Sequence, residues 1–175
     1  MATAFVSSGP QPIRISMTSD RVVASVGSRH AEAETSPGFV LWQVTVVWQR
    51  LVRSALEAVG LTHAQFVMLA SATWLEAQHR TGNGEIVTQS LVAAHARTDA
   101  VMTSEVLRTL ERKELVRRVP HPTDARAKQI SVTTEGKRLA KRAIKLVEVV
   151  DDEFFSANGA ELNALKSLLC PGYFR

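Results

Sequence analysis

Between Ile86 and Glu135 the hydrophobic period of the chain switches from that of helices to that of strands, and this switch limits the folds open to it. Val87 to Ala96 reads as a short helix with Leu91 and Val92 inward. After a brief turn Asp99 stands where an N-cap is wanted, and a second helix runs to about Lys113 with no Gly or Pro inside it. At 100° per residue Thr103, Val106, Leu107 and Leu110 share one face, a stripe suited to packing on a small core. Beyond Leu115 the sequences Val116–Val119 and Lys128–Val132 alternate like paired strands. The segment 120–127 between them holds Pro120 and Pro122 and is too long for a tight hairpin turn. Helix, turn, helix and long-tipped hairpin in that order predict a mainly α fold: a helix-turn-helix with a small β-wing.

That geometry suits duplex DNA. The outer face of the second helix carries Val101, Ser104, Glu105, Arg108 and Arg112, with Met102 and Thr109 at its margin. Glu105 is a carboxylate on a face expected to meet phosphates. Two roles fit it: accepting from a cytosine amino group, or pairing at i,i+3 with Arg108 to aim the guanidinium. Gln89 and Ser90 lie near the start of the first helix, where side chains and free amides grip phosphate. At the hairpin tip Arg126 and Lys128 can reach phosphates or a narrow minor groove, and Asp124 can hold Arg126 by a charge-assisted hydrogen bond. The charge distribution agrees. From Arg108 to Lys145 there are 12 Lys or Arg against four acids, whereas Leu146 to Leu165 has five acids and no base. Positive charge is concentrated on the reading unit, the footprint expected of a DNA binder.

The runs MTSEVLRTLERKELVRR and PHPTDARAKQISVTTEGK resemble the MarR family of winged helix-turn-helix transcription regulators. The D-x-R of Asp124 and Arg126 and the closing Val132-Thr133-Thr134-Glu135-Gly136 carry the likeness, which spans roughly Pro37 to Leu169. The resemblance implies a homodimer on a pseudo-palindromic operator. It implies DNA contacts from Gln89 and Ser90, from Ala100, Val101, Met102, Ser104, Glu105 and Arg108, and from Asp124, Arg126 and Lys128. Two positions depart from the family. Glu114 stands where a glycine usually ends the recognition helix, so that helix must stop without the usual αL glycine. Glu105 stands where Gln or Arg is common.

The flanks fit the same frame. Phe39 to Val59 is expected to form a long helix, with Pro37-Gly38 before it and Gly60 as its stop. Leu41, Val44, Trp48, Leu51, Val52, Ala55 and Val59 form one stripe, but Val40, Trp42, Val46 and Val47 point elsewhere. A helix apolar on more than one side buries more than one side, and a partner subunit is the natural cover. A third helix opens at Thr62 as N-cap, with Phe66, Leu69, Ala70 and Trp74 inward, and fades near His79. After the wing Thr134 is expected to cap a helix to Phe155 with Leu139, Ala143, Leu146, Val150 and Phe154 in a stripe. A last short helix follows from Ala160 to Leu169. The domain scheme is then a flexible tail over 1–36 and a MarR-like domain over 37–175. In it, helices 38–59 and 134–170 dimerise around a winged core at 62–133.

Other chemistry is sparse. No phosphate loop, nucleophile elbow or metal-ligand spacing stands out, and the five histidines are scattered. No catalytic role, metal or cofactor is expected. The single cysteine, Cys170, excludes an intramolecular disulfide and fits a reducing cytoplasm. No apolar run is long enough for a membrane span, and the first 36 residues lack the pattern of a secretory signal. Trp42, Trp48, Phe66 and Trp74 offer the lining of a pocket for a small aromatic effector, as the resemblance implies, although buried aromatics are commonly plain core. The competing readings are a protein–protein adaptor and a small-molecule binding protein on the same fold without DNA binding.

Overall fold

A computed structural model describes residues 27–30, 32–82, 85–123 and 128–155. The chain divides into two compact units, Met1–Thr45 and Val46–Arg175. In the first, a single 3-10 turn at Ala33–Thr35 leads into helix α1 (Pro37–Glu57), which continues into the second unit. Phe39 and Trp42 stack there with ring centroids 6.0 Å apart, and both are exposed. The expectation of a flexible tail falls largely on residues outside those described.

The second unit holds the rest of α1 and then α2 (His63–Arg80), α3 (Gln89–Ala96), α4 (Ala100–Arg112), β1 (Val116–Pro120), β2 (Lys128–Val132) and α5 (Thr134–Phe154). β1 and β2 pair antiparallel with Val116 opposite Val132 and Pro120 opposite Lys128, the expected hairpin. The core gathers Val52 and Leu56 from α1, Met68, Leu69 and Ala72 from α2, and Leu107 and Leu110 from α4. Val116, Ile130 and Val132 of the wing and Ala140 and Ala143 of α5 complete it. Small residues at the centre of the α5 face let α2 and α5 approach closely, and Lys137 ties the two helices through Glu76 at 2.7 Å.

Several boundaries differ from expectation. The first helix of the reading unit begins at Gln89, because Thr88 is its N-cap and accepts from the Leu91 amide. Val87 is instead buried ahead of the helix. Its carbonyl accepts from the Ile130 amide at 2.7 Å, and Thr88 forms an isolated bridge with Gln129, so the segment before α3 is tied to β2. Thr133, not Thr134, caps α5, accepting from the Gly136 amide at 2.9 Å. Thr62 caps α2 as expected, in a capping box with Gln65.

The buried face of α2 shares Leu69 with the predicted stripe, and Phe66 packs against the core, but the face is rotated away from Trp74. Its buried residues are Met68, Leu69, Ser71, Ala72 and Leu75, whereas Trp74 is exposed and Phe66 and Ala70 are only half-buried. Both faces of this helix are apolar enough to read as core, and the tertiary partners α3, α4, α5 and β2 select the one centred on Met68 and Ala72. In α1 only Val52 and Leu56 are buried. The expected helix Ala160–Leu169 and Cys170 lie outside the described residues.

Candidate nucleic-acid interface

Recognition helix α4 is held by its cap, its inner face and its end. Asp99 accepts from the Met102 amide at 2.8 Å. Thr103, Leu107 and Leu110 are buried, and the Thr103 hydroxyl donates to the Asp99 carbonyl at 2.7 Å and meets the Thr98 hydroxyl at 2.9 Å. The hydrogen bonds of this buried hydroxyl offset the cost of its desolvation and fix the turn between α3 and α4. At its far end α4 closes in a Schellman motif, with Leu115 N–H on the Leu110 carbonyl and Glu114 N–H on the Glu111 carbonyl, both at 2.9 Å. Glu114 itself takes the left-handed position, at φ 58°. The αL position that a glycine was expected to fill is held here by an L side chain. Helix α3 ends the same way, on Arg97 at φ 51°.

Side chains from other elements then fix the helix in place. Lys113 donates to the Gly60 carbonyl at 2.8 Å and to Gln65 at 3.0 Å, tying the end of α4 to the α1–α2 turn. From β1 the Arg118 guanidinium donates to the Ser104 carbonyl at 3.3 Å and lies 3.4 Å from the Glu111 carboxylate, which also accepts from the Arg118 amide at 3.2 Å. This clamp between wing and recognition helix escapes sequence reasoning, which reads Arg118 as one more strand residue. The alternation of the strand, with Arg117 exposed and Arg118 half-buried, is the available signal.

With its inner face anchored, α4 leaves Val101, Glu105 and Arg108 exposed and Ser104 half-buried in one stripe. Gln89, Ala100, Val101, Ser104, Glu105 and Arg108 line a shallow hollow of about 320 Å³. Gln89 leans across from α3, its amide 3.5 Å from the Ala100 carbonyl, and Ser90 shares a hydrogen bond with Thr88 at 2.9 Å. Met102 is exposed beside Val101. The anticipated Glu105–Arg108 ion pair does not form: the ion pairs among the described residues join other side chains. Both charged groups are exposed instead, and the exposed Arg112 donates along the helix to the Thr109 hydroxyl at 2.9 Å. Lys128 is exposed at the start of β2, while Asp124 and Arg126 lie outside the described residues.

Of the four aromatics assigned to an effector pocket, Phe66 and Trp74 come together. With Val67, Ala70, Ser71, His95 and Ile144 they line a hollow of about 460 Å³ between α2, α3 and α5. His95 Nδ1 lies 3.0 Å from the Ser71 hydroxyl, and the Trp74 and His95 rings are 5.0 Å apart. Trp48 is engaged elsewhere: its indole N–H donates to Asp151 at 2.8 Å and its ring meets His63 edge-on at 5.3 Å. Burial and the nearby Arg53 hold the His63 imidazole below its usual pKa, with Asp151 opposing them. Trp42 belongs to the first unit.

Two helices joined by a capped turn, a two-stranded wing and a polar, partly basic outer stripe define a winged-helix DNA-binding protein. Residues 57–150 match the family model described as ArnR1-like, winged-helix domain. The HTH-type transcriptional regulator YdcH of Bacillus subtilis is 41% identical over 141 residues, covering 81% of this chain and 92% of that protein. Among solved structures, CouR from Rhodococcus jostii RHA1 bound to p-coumaroyl-CoA superposes with a TM-score of 0.67 at 27% identity, over 81% of this chain and 93% of that one. Wild-type MarR from E. coli superposes with a TM-score of 0.57 at 25% identity, over 77% and 94%. The chain belongs to the MarR family of winged helix-turn-helix proteins, and it is a DNA-binding transcriptional regulator.

Proposed function

We propose that two copies of this chain pair and set their recognition helices into successive major grooves of a pseudo-palindromic operator, under the control of a small aromatic effector. The observation that carries this reading is the outer stripe of α4. Its charged side chains take no part in holding the fold, while its inner face, cap and C-terminus are all fixed. Such a stripe is presented to a ligand in one defined orientation, which is what base readout demands. Arg126, held by Asp124 as the sequence leads one to expect, adds contacts along the flanking phosphates together with Lys128. The protein acts as a regulator rather than an enzyme and works in the cytoplasm. No helix among the described residues is long and apolar enough to cross a membrane.

Effector control is supported by the hollow at Phe66 and Trp74. Its volume of about 460 Å³ is in the range of small-molecule sites, and its lining is apolar apart from Ser71 and His95. Because His95 sits on α3, a ligand that takes its hydrogen bond from Ser71 acts directly on the first helix of the reading unit. The relative CouR was solved with p-coumaroyl-CoA, whose acyl group is aromatic.

The test is equilibrium binding to random-sequence duplex across a range of salt concentrations. Each neutralised phosphate should contribute about −0.9 to the slope of log K against log salt. A steep slope is expected. Weak binding that ignores salt would refute DNA reading and favour an adaptor or a small-molecule binder on the same fold.

A further inference from the structure

At the start of the reading stripe stands a side chain that the fold does not explain. Val101 is 69% exposed, the largest exposure among the large hydrophobic side chains described. It occupies the second position of α4, where the cap and inner face are supplied by Asp99 and Thr103 and no core contact needs it. A valine there also costs helix propensity relative to alanine. Its neighbours in the hollow are polar or charged: Gln89, Ser104, Glu105 and Arg108.

We propose that Val101 reads the 5-methyl group of a thymine, making one A·T pair in each half-site a determinant of operator choice. This rests on the DNA-reading function above and names one element of its specificity. The N-terminal residues of a recognition helix are those that meet base edges. In the major groove, thymine alone among the four standard bases offers an apolar group, and a small aliphatic side chain is its complement. Val101 and Arg108 are seven residues apart, about 10 Å along the helix axis and close to three base steps. The methyl contact therefore falls towards the base edges at one end of the stripe, while the guanidinium meets guanine or phosphate at the other. The basic surroundings from Arg108 onwards favour duplex DNA, and not a second apolar protein surface, as the occupant.

The experiment starts from random sequence. Full-length protein is used to enrich duplexes from a randomised pool, and the enriched consensus is resynthesised with each thymine in turn replaced by deoxyuridine, which removes only the methyl. Wild type is expected to lose about fourfold in affinity per half-site at one thymine, the equivalent of the ~0.8 kcal/mol contributed by one buried carbon. Val101→Ala, whose β-methyl ends one carbon short of the valine γ-methyls, should discriminate clearly less between the two duplexes, and Val101→Thr, which keeps one γ-methyl, should retain the preference. Both variants change only an exposed side chain and leave the anchoring of α4 untouched. An enriched duplex indifferent to deoxyuridine at every position would overturn the proposal alone. So would a methyl preference that persists undiminished in Val101→Ala. A pool that yields no enriched duplex would overturn DNA reading and this proposal with it.

Discussion

Two residues at the junction of recognition helix and wing have opposite relations to glycine. Glu114 holds the left-handed position that ends α4, at φ 58°, where an L side chain costs about 1–2 kcal/mol. Its carbonyl accepts from the Thr133 hydroxyl at 2.8 Å, an interaction of the backbone that any residue there keeps. Glu114→Gly should therefore stabilise the protein by roughly 0.5–1 kcal/mol, the relief of αL strain less the greater freedom glycine loses on folding. Urea denaturation would show it as a higher midpoint at unchanged slope, and a lower midpoint would mean that the side chain makes a stabilising contact of its own. Gly136 is the reverse case. A Cβ there would stand 2.0 Å from the Leu115 carbonyl oxygen, which already accepts from the Thr133 amide at 3.0 Å. Gly136→Ala must push the first turn of α5 off the end of the wing and should cost about 3 kcal/mol or more, the upper end of overpacking effects. The same denaturation series checks both, and a Gly136→Ala protein as stable as wild type would show that this junction is slack.

The wing is an element with two jobs, divided between adjacent arginines of β1. Arg117 is exposed, whereas Arg118 reaches across to the Ser104 carbonyl and the Glu111 carboxylate and so sets the rotation of α4 against the sheet. Arg118→Met should reduce the preference for operator over random duplex by about tenfold, the loss of one hydrogen bond from a charged donor, while leaving the salt slope nearly unchanged. Arg117→Ala should do the opposite, lowering the slope by roughly one counterion and sparing the preference. Competition binding at several salt concentrations separates them, and identical effects from both would dissolve the distinction. These elements also show what a sequence makes legible. The cap at Asp99, the stripe Thr103–Leu107–Leu110 and the two paired strands of the hairpin are readable because local periodicity and tertiary packing agree there. The face of α2 is not, because Phe66, Ala70 and Trp74 match a helical stripe as well as Met68, Ala72 and Leu75 do, and only the neighbouring elements choose between them. Thr133 and Thr134 are equally good caps by composition. The hydrogen bonds of Thr133 to the Glu114 and Leu115 carbonyls decide in favour of the first, and that choice depends on a segment far back in the chain. The Arg118 clamp is long-range for the same reason.

At the scale of the whole molecule, α1 carries most of the exposed large apolar side chains among the described residues. Of its 21 residues only Val52 and Leu56 are buried, while Phe39, Val40, Leu41, Trp42, Val44, Val47 and Leu51 are exposed. A monomer seldom leaves so many large apolar side chains in water on one element, because each forgoes about 25 cal/mol for every Å² that burial would remove. A two-fold partner that brings the same helix satisfies both copies at once, as an isologous interface requires. Dimerisation also multiplies the work of the reading stripe, since binding of one half-site raises the effective concentration of the second reading head at its own. The double variant Val47→Glu, Leu51→Glu places two like charges on this surface without touching the buried Val52 and Leu56. It should sediment near the 19.2 kDa chain mass, whereas wild type should sediment at about twice that value. It should keep the helical circular dichroism of wild type, and its operator affinity should fall by about 10²-fold or more as the bivalent advantage is lost. A variant that still sediments as a dimer would show that α1 is not the interface. A wild-type chain that is monomeric, yet binds operator tightly, would show that two copies are not needed.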